Sequence, residues 1–151
     1  MLDGLFVTPA VTAITEALTS AAVPADGRLA IVGDARIAAA LTASLGPGRD
    51  VTPIGLPPRA AKKLPRHLPD TSSLEPGSLA ALVGVGVATD EAWAETLRAW
   101  VRAVRDGGAI VFVDRGHAHE ASRRALCAGL CELEQRRAGR SVITSGLVTH
   151  L

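Results

Sequence analysis

The sequence predicts an α/β fold in which a mainly parallel, doubly wound sheet ends in a C-terminal antiparallel hairpin. Short apolar runs, typical of strands buried on both faces, alternate with segments whose apolar residues recur at helical spacing. Such alternation implies parallel strands with helices on both faces of the sheet. The last part of the chain instead alternates residue by residue, as two paired strands do.

The composition limits the functions open to the chain. Its 151 residues suit one domain, and 48% of them are hydrophobic, which excludes general disorder. No apolar run approaches the roughly 20 residues that span a bilayer. A net charge of +1 and 3% aromatic residues give no general attraction to nucleic acid or anionic lipid. With two cysteines and no signal-peptide pattern, we expect one cytoplasmic domain over residues 1–151, without nucleic-acid or membrane partners.

The first half of the chain predicts two helices and two strands. An N-terminal helix within residues 1–24 should begin with Thr8 as its cap and Pro9 in its first turn. A second helix should be capped by Asp34 at its start and by Gly46 at its end. The strands on either side of this helix are predicted at 28–32 and 50–54.

An irregular, proline-rich segment follows at 55–77. Its five prolines exclude a long helix or a central strand, although a helical turn can form at 59–64. Four cations of this segment form a local basic cluster, which either meets an acidic partner or is simply a solvated loop. These cations are Arg59, Lys62, Lys63 and Arg66.

The second half of the chain predicts two more buried strands, at 79–85 and 109–113. An amphipathic helix between them should begin at Asp90 and end at Asp106-Gly107-Gly108. A further helix over 118–128 leads to the hairpin. The hairpin strands are predicted at 131–137 and 141–151, with their turn at 138–140.

This order of elements resembles the class I S-adenosylmethionine-dependent methyltransferase (Rossmann-like) family. LEPGSLAALVGVGVA (74–88) is similar to the family's fourth-strand region, and LRAWVRAVRDGGAIVFVDRG (97–116) resembles its helix, Gly-Gly turn and fifth strand. CAGLCELEQRRAGRSVITSGLVT (127–149) resembles its last helix and closing hairpin. The resemblance covers about residues 28–149 and implies a sheet of methyltransferase type, with the segment 55–77 in place of the usual third strand and its helix.

The cofactor signatures that the resemblance implies are degenerate. The family's first motif places an acidic residue before a G-x-G-x-G turn, whereas this chain has Ile31 at the acidic position and Gly33, Ala35 and Ile37 at the glycine positions. The family's second strand ends in an acid that binds the ribose hydroxyls. Here that strand ends in Ile54-Gly55-Leu56, without a carboxylate. Because each missing buried hydrogen bond costs about 1–3 kcal/mol, we expect no cofactor, and S-adenosylmethionine only if other residues compensate.

Three groups of residues invite a chemical role and also have a plain structural interpretation. Gly33 and Asp34 fit a degraded dinucleotide turn, but also a simple helix cap. Asp114, Arg115, His117 and His119 follow the 109–113 strand, where His117 or His119 could act as a general base or metal ligand, or belong to a polar loop. Lacking a third nearby ligand, they predict no metal site. Cys127 and Cys131 are expected to be small buried hydrophobic residues rather than a redox pair.

We therefore predict a non-catalytic methyltransferase-like domain that binds a protein partner or self-associates. The alternative is an S-adenosylmethionine-dependent methyltransferase with an atypical cofactor site, lined by Gly33, Asp34, Gly84 and Asp114. A small-molecule-binding domain that uses the same crevice without chemistry is a third hypothesis. A crevice filled by Ile37 and Leu56 would argue against both ligand-binding hypotheses. No catalytic residue can be named.

Overall fold

The computed structural model describes residues 2–56, 59 and 67–150, and the side chains from Val7 onward. Its helices are α1 (Leu2–Ser20), α2 (Ala35–Leu45), α3 (Trp93–Ala103) and α4 (Ala118–Cys127). Its strands are β1 (Leu29–Val32), β2 (Val51–Ile54), β3 (Leu79–Val85), β4 (Val104–Asp114), β5 (Cys131–Ala138) and β6 (Ser141–Leu147). Short 3-10 turns occur at Thr71–Ser73 and Val87–Thr89.

The six strands form one sheet in the order β2-β1-β3-β4-β6-β5. Strands β2, β1, β3 and β4 pair in parallel, whereas β6 pairs antiparallel with both β4 and β5. The predicted fold class is therefore confirmed, including the closing hairpin. The hairpin turn lies at residues 139–140, and the second hairpin strand ends at Leu147 rather than at residue 151.

Two hydrophobic cores cover the two faces of the sheet. Alternate strand residues such as Ile31, Val83 and Val111 pack with α1 and α2. The residues between them, such as Leu82 and Phe112, pack with α3 and α4. Because the central strands are buried on both faces, they read as continuous apolar runs in the sequence.

Helix α1 begins earlier than predicted. It starts at Leu2, so Thr8 does not cap it and Pro9 lies inside it. A proline inside a helix removes one backbone hydrogen bond. Val7 packs against the α1/α2 core, and this burial favours helical structure ahead of the proline. The prediction at Thr8 was wrong because capping preference gave way to tertiary packing.

The Gly-Gly segment also differs from its prediction. Helix α3 ends at Ala103, and β4 already begins at Val104, so Gly107 and Gly108 lie within the strand. The register between β3 and β4 shifts here, and Gly107 has a φ of +79°. Gly108 has no room for a side chain, since a Cβ would lie 2.7 Å from the Ala80 carbonyl oxygen. The two glycines therefore form an irregularity within β4 instead of a separate turn.

The two cysteines lie on the surface. Cys127 and Cys131 are both exposed and unpaired, so the expectation that they are buried was wrong. Cys127 is the last residue of α4, where Ala121 and Ala125 take the buried positions, and Cys131 begins the exposed edge strand β5. Helix α4 otherwise matches its prediction, with Gly129 in the left-handed conformation just after it.

Within its described residues, the proline-rich segment makes one short parallel contact at the edge of the sheet. Leu68 forms a single parallel bridge with Ile54 of the edge strand β2. The expected helical turn at 59–64 and the basic cluster lie outside the described residues, apart from Arg59, which is helical and exposed. None of the described helices is both long and apolar enough to cross a membrane.

Gly84 in β3 carries a testable packing constraint. A Cβ at this position would overlap the ring of Trp100 in α3, so we expect Gly84→Ala to lower the free energy of unfolding by about 1–3 kcal/mol through overpacking. Gly48→Ala is the matched control, because no atom of the described residues lies within 4 Å of the position that its Cβ would take. Urea unfolding of both variants measures the difference, and equal stability of the two would contradict this packing.

Candidate functional site

A cavity of about 350 Å³ lies at the carboxyl ends of β1, β3 and β4. The strand order reverses here, since β2 and β3 lie on opposite sides of β1, and open α/β sheets bind ligands at such a point. We call it the crevice cavity. Its apolar lining residues are Val7, Ala10, Ile37, Val85 and Val113. Its other lining residues are Asp34, Arg36, Gly86, Thr89, Asp114, Arg115, His117 and Ser141.

Asp34 closes the N-terminus of α2, as predicted. Its Oδ1 accepts hydrogen bonds from the backbone N–H groups of Arg36 at 2.9 Å and Ile37 at 3.1 Å. The Arg36 guanidinium lies 3.8 Å from Oδ2. A helix N-terminus attracts anions through such N–H groups, but here the chain supplies its own carboxylate. A phosphate or carboxylate group of a ligand would meet negative charge at this point.

Asp114 is the last residue of β4 and is 4% exposed. Its Oδ1 accepts a hydrogen bond of 2.9 Å from the backbone N–H of Ala88. Its Oδ2 is buried and has no hydrogen-bond partner among the described residues. Burial raises the pKa of this carboxyl, while the Ala88 hydrogen bond and the nearby charges of His117 and Arg124 oppose that rise. The site therefore holds one carboxyl oxygen that is desolvated and unsatisfied, which is costly in a protein interior.

Arg124 of α4 fixes the turn that carries Ala88. Its Nη1 donates to the carbonyl oxygens of Val87 at 2.6 Å and Asp90 at 2.9 Å, and its Nε donates to Glu120 at 2.7 Å. The Trp93 ring lies 5.2 Å from its guanidinium carbon. These contacts hold the backbone on which the Ala88–Asp114 hydrogen bond depends.

The structure brings together two of the four residues predicted to bind a cofactor. Asp34 and Asp114 line the crevice cavity. Gly33 lies beside it with a φ of +96°, and a Cβ there would be 3.7 Å from the Val85 carbonyl oxygen. Gly84 faces Trp100 in the core covered by α3 and α4. Its neighbour Val85 points to the opposite face of the sheet, since successive strand residues alternate between faces. The next glycine, Gly86, lines the cavity instead.

The polar cluster after β4 is divided between the cavity and the surface. Arg115 and His117 line the cavity, and His117 has a left-handed backbone with a φ of +56°. His119 is exposed on α4 and is not among the lining residues. Within the described residues, no group of three or more His, Cys, Asp and Glu side chains could hold a metal ion.

The crevice is not filled. Ile37 is 7% exposed and forms part of the cavity wall, while it also packs into the α1/α2 core. Leu56 is buried as well, but it does not line the cavity. Filling of the crevice by Ile37 and Leu56 would have argued against ligand binding, so the unfilled crevice favours a ligand-binding function.

The end of β2 is closed by the chain itself. The backbone N–H of Gly55 donates to the Leu68 carbonyl oxygen at 2.9 Å, and that of Leu56 donates to His67 Nε2 at 3.1 Å. None of the described residues 51–56 lines the crevice cavity. The position at which the resemblance implies a ribose-binding acid therefore has no carboxylate and does not line the crevice cavity.

Comparison with solved structures identifies the fold. An S-adenosyl-L-methionine-dependent methyltransferase from Methanococcus maripaludis matches with a TM-score of 0.72 at 12% identity, over 97% of this chain and 88% of that one. A chain from the complex of the Haloferax volcanii Trm112 methyltransferase activator with a methyltransferase matches with a TM-score of 0.70 at 12% identity, over 91% and 89%. Comparisons with family profiles and with curated proteins found no match.

A third similar structure is much longer than this chain. It is the T. thermophilus 16S rRNA N2 G1207 methyltransferase, solved with AdoMet and guanosine, which matches with a TM-score of 0.64 at 15% identity. The match covers 91% of this chain but only 39% of that enzyme. Together these likenesses show the fold: the chain has a class I methyltransferase-like fold, and the predicted resemblance is confirmed at that level.

Sequence reasoning missed several residues of the cavity. Val7 reaches it because α1 begins six residues before Thr8, and Ala10 follows three residues later on the same face of that helix. Ser141 reaches it because β6 pairs with β4, opposite Asp114 in the register Asp114↔Val142. The apolar spacing of α1 was a usable signal for Ala10. The hydrogen bond from Ala88 to Asp114 was not visible, because a backbone N–H has no residue signature.

The Glu120 carboxylate generates a prediction on acid stability. Hydrogen bonds from Arg123 and Arg124 lower the pKa of Glu120 from 4.5 to about 2. A carboxylate with a depressed pKa stabilises the fold above its unfolded pKa, and this contribution is lost as pH falls through the folded pKa. We therefore expect Glu120→Gln to lower the melting temperature at neutral pH, with the deficit shrinking between pH 4.5 and 2.

Thermal unfolding of wild type and variant across this pH range measures the effect. Glu95→Gln is the control, since Glu95 is exposed on α3 and forms no hydrogen bond or salt bridge with the other described residues. A deficit that stays constant down to pH 2 would show that the charge of Glu120 does not matter.

Proposed function

We propose that this chain is a non-catalytic domain of the methyltransferase fold, which binds a small ligand in the crevice cavity and transfers no methyl group. One observation carries the proposal. The cavity is open, while the groups that would anchor S-adenosylmethionine are replaced by contacts within the chain. A volume of about 350 Å³ lies at the low end of the range for small-molecule sites, roughly 300–1,000 Å³.

The fit to S-adenosylmethionine is poor at both ends of the crevice. The α2 N-terminus is occupied by Asp34, which repels the carboxylate of the cofactor. At the β2 end, Gly55 and Leu56 bond to Leu68 and His67, and no acid is present for the ribose. Two or three missing hydrogen bonds would weaken binding by orders of magnitude, since each roughly 1.4 kcal/mol is a factor of ten.

A methyltransferase with an atypical cofactor site is the second candidate. The cavity lies at the carboxyl edge of the parallel strands, and proteins with this fold have been solved with AdoMet or SAH. This candidate requires that a ligand displace the chain's own contacts at Asp34 or at residues 67–68.

The predicted protein partner has less support than a ligand. A protein of this fold occurs in a complex with the Trm112 activator, so the fold is compatible with a partner protein. Against this, Leu126 is the one large hydrophobic side chain found exposed among the described residues. Pro53 and the bridge between Ile54 and Leu68 also make the β2 edge less able to pair with a strand of another protein. We therefore place ligand binding ahead of partner binding.

Calorimetric titration with S-adenosylmethionine and S-adenosylhomocysteine tests the proposal. We expect no saturable heat up to millimolar concentrations, because the anchoring groups are absent. The T. thermophilus rRNA methyltransferase, which was solved with AdoMet, serves as the positive control for the titrants.

Micromolar binding to the wild-type chain would overturn the proposal in favour of the second candidate. In that event Gly33→Val should abolish binding, because it adds a side chain beside Val85 at a positive φ. Gly48→Val, in open space, should leave binding unchanged.

A further inference from the structure

We propose that the ligand of the crevice cavity is a small amine with an apolar body, whose ammonium group is bound by Asp114. This inference rests on the proposed function, because it names the class of ligand that the cavity takes.

Asp114 places a buried carboxyl in the wall of the cavity. It is 4% exposed and lines the cavity, and one of its two oxygens is satisfied by the Ala88 N–H. The other oxygen, Oδ2, has no hydrogen-bond partner in the part of the chain that the structure describes. A buried carboxylate oxygen gains most from a charged donor, since charge-assisted hydrogen bonds are about twice as strong as neutral ones.

Asp34 and the arginine side chains around the cavity already have partners within the chain. Asp34 already accepts from the α2 backbone and pairs with Arg36. Arg36 and Arg115 each have further interactions within the chain, and Arg124 is bonded to Glu120 and two carbonyl oxygens. The arginine side chains near the cavity are therefore engaged, whereas Asp114 keeps an unsatisfied acceptor among the described residues.

The apolar lining residues determine which kind of ligand body the cavity can bury. Val7, Ala10, Ile37, Val85 and Val113 form an apolar wall, which favours a hydrocarbon or aromatic group by burying it from water. The volume of about 350 Å³ suits a small molecule rather than a peptide segment. An apolar body with one ammonium group matches both the wall and Asp114.

Benzylamine and benzyl alcohol form a matched pair of probes. They share the aromatic body and differ in whether the head is an ammonium or a neutral hydroxyl. We expect benzylamine to bind saturably and about tenfold or more tightly than benzyl alcohol, as measured by amide chemical-shift titration. The shifting amides should include Ala88 and Asp114.

Three variants separate the effect of the Asp114 charge on affinity from the effect of cavity size. Asp114→Asn should weaken benzylamine about tenfold and remove the preference for it over benzyl alcohol. Val85→Phe should weaken both probes alike, because it narrows the cavity. Asp26→Asn removes an exposed carboxylate that precedes β1 and is not among the lining residues of the cavity at the other end of that strand, and it should change neither affinity.

Equal affinity for the two probes, equal benzylamine affinity in wild type and Asp114→Asn, or no benzylamine binding at all would overturn the inference. Melting temperatures confirm that each variant is folded before its affinities are compared. These outcomes are independent of the S-adenosylmethionine titration, so failure of the inference and failure of the proposed function are distinguishable.

Discussion

The burial of β1, β3 and β4 on both faces is the constraint from which the site follows. Residues such as Ile31, Val83 and Val111 fill one core, and their neighbours along the strands fill the other. Polar side chains have little place within these strands and occur where the strands end. Because the strands are parallel, these ends meet at one edge of the sheet. Asp34 and Asp114 come together there, although they are 80 residues apart in the sequence.

At that edge, the distinction between satisfied and unsatisfied hydrogen-bonding groups decides what can bind. Asp34 accepts hydrogen bonds from backbone N–H groups at the α2 N-terminus, and His67 and Leu68 accept those from the backbone N–H groups at the end of β2. Asp114 Oδ2 remains without a hydrogen-bond partner within residues 2–56, 59 and 67–150. The methyltransferase-like fold of this chain thus has an open crevice beside helix and strand ends that bond within the chain, and fold and function are separable.

The alternation of apolar runs was sufficient to predict the parallel sheet, because burial on both faces leaves a direct trace in the sequence. The Asp34 cap was predictable for a similar reason, as capping is local. Gly84 was harder: its place under Trp100 depends on which face of β3 it occupies, and a strand apolar on both faces does not reveal this. The start of α1 and the exposure of the cysteines depended on tertiary packing, which local preferences do not encode.

Hydrogen exchange of the Gly55 and Leu56 amides, measured by NMR with and without S-adenosylhomocysteine, tests most directly whether the cofactor edge is closed by the chain itself. Bonds to Leu68 and His67 should protect both amides in the free protein, and the cofactor product should leave their exchange unchanged. Rapid exchange in the free protein, followed by protection when S-adenosylhomocysteine is added, would contradict the account.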